Sequence, residues 1–281
     1  MFEKFGWAHS SDDSDQWDGF NEAGIEHFLG NPIFHLAKEI NQNALDAAED
    51  GLVKVSFMFK EIDIDSIPNL GEFKDTIKSC LDASKSESEK AKSFFEKATK
   101  MLAKKRIGVL VISDSNTSGI RGPAVNGTPF YAFMKATGQS KKDSQTASGS
   151  FGIGKFAPYA VSNLRTIFVS TIYSDGNGTL QQLTQGKSVL MSHQYKGKLR
   201  RGVGFWGIRE KCQPVSGNLP KSNEWLQRAT KASDYSQKKG TTIIILGFDP
   251  EKNWRELLAV YTAENFFGAI GVYPLAVIFQ V

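Results

Sequence analysis

The sequence predicts a mixed α/β domain, on three observations. Residues 106–114 (RIGVLVISD) and 240–248 (GTTIIILGF) are apolar runs continuous enough to be strands buried on both faces. A segment opening at Asn31-Pro32 repeats Phe34, Ala37, Ile40, Ala44, Leu45 and Ala48 at helical spacing. Between the two apolar runs, residues 164–174, 180–190 and 202–210 read as strands joined by glycine-bearing turns. The chain has 281 residues, 40% hydrophobic and 11% aromatic, enough for a sizeable core in one large domain or one and a half.

Taken in order, residues 1–20 are polar and acidic, punctuated by Phe2, Phe5, Trp7 and Trp17, and read as an N-terminal arm that packs on something. The main domain is expected over 21–270. Pro32 suits a first helical turn capped by Asn31, and residues 52–63 alternate like a strand. A charged stretch, 70–105, carries Phe73, Ile77, Leu81, Phe94, Phe95, Ala98, Met101 and Leu102 at helical spacing and reads as a helical insertion. Residues 116–150 are rich in Gly, Ser and Lys around one aromatic patch, PFYAFMK, the composition of a functional lid. Residues 253–270 read as a helix, and the apolar strand in 271–281 as the start of a following domain, so that the chain is expected to be the N-terminal part of a longer protein.

Several function classes drop out. Cys80 and Cys212 are far apart and form no CxxC pair, which argues against a disulfide framework or thiolate zinc site and suits a reducing cytosol. His9, His27, His35 and His193 show no metal-ligand spacing. No signal-peptide core or apolar run of membrane-spanning length occurs, so a cytoplasmic protein without membrane contact is expected. The net charge of +4, with no basic-aromatic stripe, does not single out nucleic acid.

GSFGIGKFA, residues 149–157, admits three readings. Gly149, Gly154 and Lys155 have P-loop spacing, but Phe156 stands where the magnesium-holding hydroxyl is needed, and a polar loop, KKDSQTAS, stands where a strand must precede. The dinucleotide fingerprint fails on the same missing strand. A glycine hinge opening a helix is what remains.

Three other segments bear on that hinge. In KEINQNALDAA, Glu39, Asn43 and Asp46 share one face of a helix. Asn43 offers a neutral oxygen to a hard Mg²⁺ that keeps most of its waters, and Glu39, one turn back, can polarise a water. Asp114 ends an apolar strand, where a carboxylate is expensive without a dedicated partner; it could accept from the exocyclic amine of adenine. Gly240-Thr241 puts a hydroxyl at the mouth of the last buried strand. Read singly, these segments fit equally a polar helix face, an Asx turn and an ordinary strand start.

Together they resemble the GHKL ATPase superfamily of gyrase B, the heat-shock chaperone of that class, MutL, MORC proteins and sensor histidine kinases. Glu39, Asn43, Asp46 and Ala47 match its first box; Asp114 and Gly119 its second; Gly149, Gly152 and Gly154 its lid box; Gly240 and Thr241 its last. The boxes agree in order across residues 25 to 250. One departure stands in the second box: Asn116 replaces the first glycine, with an extra residue before Gly119.

The resemblance implies a two-layer α/β sandwich of the Bergerat type, a mixed and mostly antiparallel sheet covered on one face by helices. It implies Mg-dependent ATP hydrolysis with Glu39 as general base, Mg²⁺ at Asn43, and Asp46, Ala47, Asp114, Gly119 and Thr241 around the nucleotide. The amides of Phe151, Gly152, Ile153, Gly154 and Lys155 would cradle the phosphates ahead of Phe156, with Lys155 adding a point charge. It further implies an ATP-dependent homodimer strapped by the arm, with DNA or protein partners engaged through downstream domains. It extends to stand-alone bacterial ATP-binding proteins, some in phage-defence operons. A binding module with negligible hydrolysis and histidine-kinase phosphotransfer are the alternatives, although few residues precede Glu39 for a phosphoacceptor hairpin.

Overall fold

A computed structural model describes residues 5–11, 14–49, 51–136, 152–228, 238–272 and 275–280. Among these, ten strands form a single sheet, β1 (Phe5–Ser11), β2 (Val53–Asp63), β3 (Arg106–Ser115), β4 (Thr166–Ser174), β5 (Leu180–Val189), β6 (His193–Tyr195), β7 (Lys198–Ile208), β8 (Val215–Ser216), β9 (Gly240–Leu246) and β10 (Leu275–Gln280). The main order is β1-β7-β5-β4-β9-β3-β2-β10, with β6 paired to β7 and β8 to β5. All pairings are antiparallel except β10 with β2. The apolar runs foreseen at 106–114 and 240–248 become β3 and β9, hydrogen-bonded neighbours at the sheet centre.

The mixed, mostly antiparallel α/β architecture is as expected; the two-layer arrangement is not. One face carries α1 (Ala23–Glu26), α2 (Pro32–Asp46), α5 (Pro129–Met134), α6 (Ala157–Ala160) and α7 (Trp254–Val272). Their core contains Leu36, Ile40, Phe130, Tyr159 and Leu258 with Val55, Leu110, Ile112, Ile243 and Ile245. The other face is covered by α3 (Leu70–Ser84) and α4 (Glu89–Leu102), whose Phe73, Ile77, Phe95 and Leu102 pack with Val109, Phe168, Trp206 and Ile244. The 70–105 insertion therefore makes a third layer. The reason lies in β3 and β9, apolar on both sides, so that leaving either face bare would expose a row of Ile, Val and Leu.

Both ends of the chain also differ from expectation. The arm of 1–20 supplies β1, an edge strand paired with β7 from Phe5↔Ile208 to Ser11↔Arg200. Trp7 is buried, stacked on Phe73 at 5.1 Å, with its indole N–H donating to Pro68 O at 3.1 Å. The apolar surface of Trp7 is thus spent within this chain, while Trp17 is 47% exposed; Phe2 lies outside the described residues. The strand in 271–281, assigned to a following domain, joins the same sheet as β10, in parallel register with β2 from Leu275↔Val53.

In the lid range 116–150, the described part is already docked. Phe130, of the aromatic patch in that range, is fully buried in the first core, and α5 is capped by Thr128, whose hydroxyl accepts from Tyr131 N at 3.3 Å. The remainder of the lid, including Gly149 and Phe151, lies outside the described residues.

Candidate nucleotide site

Helix α2 starts as its sequence requires: the Asn31 side chain accepts from Phe34 N at 3.3 Å and Pro32 occupies the first turn. Leu36, Ala37, Ile40 and Ala44 turn inward, leaving Glu39, Asn43 and Asp46 half-buried on the adjoining side. The buried Asn41 ties the helix to α7, donating to Ala37 O at 2.9 Å and Thr262 Oγ1 at 3.2 Å. Gln42 donates to Asp46 Oδ1 at 2.6 Å within α2. Ala47 and Ala48 meet the loop after β3: Ser118 N donates to Ala47 O at 2.8 Å, and Ala48 bridges Thr117.

Asp114 is half-buried at the end of β3. Its Oδ1 accepts from Thr117 Oγ1 at 2.5 Å and from Thr241 N at 2.9 Å, while Oδ2 accepts no hydrogen bond from any described residue. Burial raises its pKa above the usual carboxylate value, against the opposing charge of Arg228 and the bonds from Thr117 and Thr241. Gly240 makes this approach possible. With φ +134° and no side chain, it leaves space where a Cβ would lie 2.6 Å from both Asp114 Oδ1 and Arg228 Nη2. Gly119 is equally committed, at φ +67°, because a Cβ there would be 2.8 Å from Thr171 Oγ1. The next amide, Ile120 N, donates to Thr171 Oγ1 at 2.9 Å and Thr241 Oγ1 at 3.2 Å. Thus the Thr241 hydroxyl, expected at the pocket floor, anchors the second-box loop.

The departure at Asn116 is accommodated locally. Asn116 has φ +59°, the left-handed conformation that a glycine would adopt and that Asn tolerates best among other residues. Its side chain donates to Leu52 O at 2.6 Å, fixing that turn to the start of β2.

The hinge glycines come to the same face. Gly152 takes φ +71°, and Gly154 opens the 3₁₀ turn Gly154–Phe156, with Phe156 N donating to Ile153 O at 2.9 Å. Gly154 packs directly on Glu39, where a Cβ would lie 2.7 Å from the carboxyl carbon and overlap Oε2. The Phe156 ring sits on Gly24 of α1, which likewise has no room for a Cβ. Lys155 is engaged within the protein. Its ammonium is buried and donates to Ala132 O at 2.9 Å and Ala136 O at 2.5 Å, satisfying the carbonyls that α5 leaves open at its end. Burial lowers its pKa, with Glu22 opposing.

Sequence reasoning missed Thr171, Arg228 and Lys187. Arg228 is buried and spans the entry to β9, donating to Lys238 O at 3.0 Å, Lys239 O at 2.9 Å and Thr241 O at 3.2 Å. Only its strand neighbourhood, invisible in one dimension, marks it.

Among the described residues no group of three His, Cys, Asp or Glu could hold a metal ion, and no helix is long and apolar enough to cross a membrane. The donor set near Glu39, a single carboxamide at Asn43, fits Mg²⁺ that takes its remaining ligands from phosphate and water. A scan against protein-family models finds no match, and the curated proteins contain no significant match to the chain.

Proposed function

We propose that the chain binds Mg-ATP between α2, the β3 and β9 strand ends and the hinge at Gly152–Gly154, and hydrolyses it. One observation carries the reading: four segments dispersed over the sequence converge on one face of the sheet, joined by the Glu39–Gly154 packing and the Thr241–Asp114 bond. The resemblance to GHKL ATPases supports the same assignment.

In this reading Asp114 Oδ2 accepts a hydrogen bond from the exocyclic amine of adenine, a donor that guanine lacks at that position. Thr117 and the Thr241 amide hold the carboxylate by its other oxygen, so that it is pre-oriented. Asn43 would hold Mg²⁺, which when bound would neutralise charge on the phosphates. Glu39 orients a water and takes its proton, and the backbone amides of the hinge receive the phosphates at a helix start. The resemblance extends the reading to ATP-dependent pairing of two copies; light-scattering mass with and without a non-hydrolysable ATP analogue tests that part, and a monomer in both removes it.

The deciding experiment is phosphate release from ATP by the wild type and Glu39→Ala, alongside ATP affinity by calorimetry. Hydrolysis falling by about 10²–10⁴-fold with affinity retained is expected. Binding without turnover in the wild type would leave an ATP-gated binding module, and no binding at all would remove the nucleotide reading.

A further inference from the structure

Lys187, on β5, pairs with Ile167 of β4 and Phe205 of β7. That register places it on the sheet face that carries Asp114, Thr171 and Thr241, beneath the hinge. It is 6% exposed, and its ammonium makes no hydrogen bond or ion pair with any described residue. Two rings flank it instead, Phe156 at 5.9 Å and Phe205 at 5.8 Å from centroid to Nζ. Lys155 Nζ lies 6.0 Å from the same Phe156 ring, so the two ammonium groups share one aromatic partner immediately after the glycine that packs on Glu39.

A largely buried ammonium with no acceptor among the described residues is costly, and a second cation on the same ring makes it more so. The remaining charges nearby do not resolve it. Glu22, ahead of α1, favours the charged form of both lysines but forms no ion pair with either, and Lys135, beyond α5, adds a third cation 5.7 Å from the Phe205 ring. Burial first, then the Lys155 charge, push Lys187 down to about 7. Lys155 has carbonyl acceptors; among the described residues Lys187 has only π faces.

We propose that Lys187 is the receptor for a terminal phosphoryl group beneath the hinge, either the γ-phosphate of bound ATP or the phosphate released from it. Lys155 is the second cation, available once its bonds to α5 are exchanged for phosphate oxygens. The inference rests on the Mg-ATP reading above and adds to it a residue outside the four boxes, on a strand that none of them includes. It also gives the hinge a sensor: Phe156, between the lysines, is the side chain that must adjust when a phosphoryl group enters.

The test is calorimetry of ATP, ADP and ADP plus inorganic phosphate with the wild type and Lys187→Met, which keeps the aliphatic packing and removes the charge. A charge-assisted bond corresponds to roughly a ten- to hundredfold change in affinity. An ATP-to-ADP affinity ratio that drops by that factor in the variant, with ADP unchanged, establishes the attached phosphate as ligand. An unchanged ratio with loss of phosphate binding beside ADP establishes the released one. Neither change overturns the proposal while leaving ATP binding standing, and a wild type that binds no nucleotide overturns both. Should Lys187→Met not fold, the unaltered protein still decides: acetylation of Lys187 by acetic anhydride, read by mass spectrometry, slows several-fold with a non-hydrolysable ATP analogue or with ADP plus phosphate relative to ADP alone. Equal rates in all three overturn the assignment.

Discussion

Gly154 lies against the carboxylate of Glu39 so closely that no side chain could stand at position 154 without displacing it. The hinge and the proposed base are therefore one mechanical unit, although they come from distant parts of the chain. The other anchor of the site is equally specific, with Thr241 N donating to Asp114 Oδ1 across the ends of β9 and β3.

Gly154→Ala tests that unit. The added methyl must push the Glu39 carboxylate aside, while the proposed nucleotide contacts at Asp114 and Thr241 are untouched. Turnover should fall at least about tenfold, part of the 10²–10⁴ that a positioned general base contributes, with ATP affinity changed far less. Wild-type turnover in this variant would separate the hinge from the chemistry.

Asp114→Asn replaces an acceptor with a group that can offer a donor to adenine, leaving buried polar groups mispaired. ATP affinity should weaken by about 1–3 kcal/mol, roughly five- to 150-fold. Calorimetry of the wild type should also favour ATP over GTP, and equal affinities would remove Asp114 as the base-reading residue.

Arg228 counters the burial that raises the Asp114 pKa. Adenine recognition needs the ionised carboxylate, so affinity declines on acidification through that pKa. Removing the guanidinium in Arg228→Met raises Asp114 further, and the decline should begin at a higher pH than in the wild type. ATP affinity measured from pH 8 to 5 checks this; superimposable profiles would show that Arg228 serves only the β9 backbone.

His9 supplies a separate dependence of stability on pH. Its ring is buried, 5.0 Å from that of His193, with Nδ1 3.0 Å from Arg201 O, and Gly204 leaves the space it occupies. Burial first and the His193 charge next push its pKa from 6.5 down to about 3, and burial lowers His193 as well. The unfolded chain thus binds more protons than the folded one between these values. Stability is complete above about pH 6.5 and declines as the pH falls toward 3, at up to about 1.4 kcal/mol per pH unit for each histidine. Denaturant unfolding at pH 7, 6, 5 and 4 should show this slope flattened in His9→Gln. An unaltered slope would place the dependence elsewhere.

By itself the sequence determined the elements whose local pattern has a single physical meaning. The continuous apolar runs had to be central strands because no half-exposed strand tolerates them, and α2 announced itself by periodicity, the Asn31 cap and Pro32. The order of the four boxes pointed to one site, since carboxylates, carboxamides and tight glycines at those positions had no shared use as separate surface features. Tertiary structure alone decided what covered each face and where each charge went. Periodicity shows that the 70–105 helices have an apolar side but not which side of the sheet it meets, and only the two-sided hydrophobicity of β3 and β9 makes them a third layer. Trp7 and Leu275 look like members of an arm and a following domain because edge strands pair with partners far away in sequence, β7 and β2. For Lys155 the sequence shows a cation beside the hinge glycines, but not that α5 presents it with two open carbonyls. Lys187 carried no signal at all, because what distinguishes it is the lack of an acceptor among the described residues around it, and surroundings of that kind exist only after strands β4, β5 and β7 have been brought side by side.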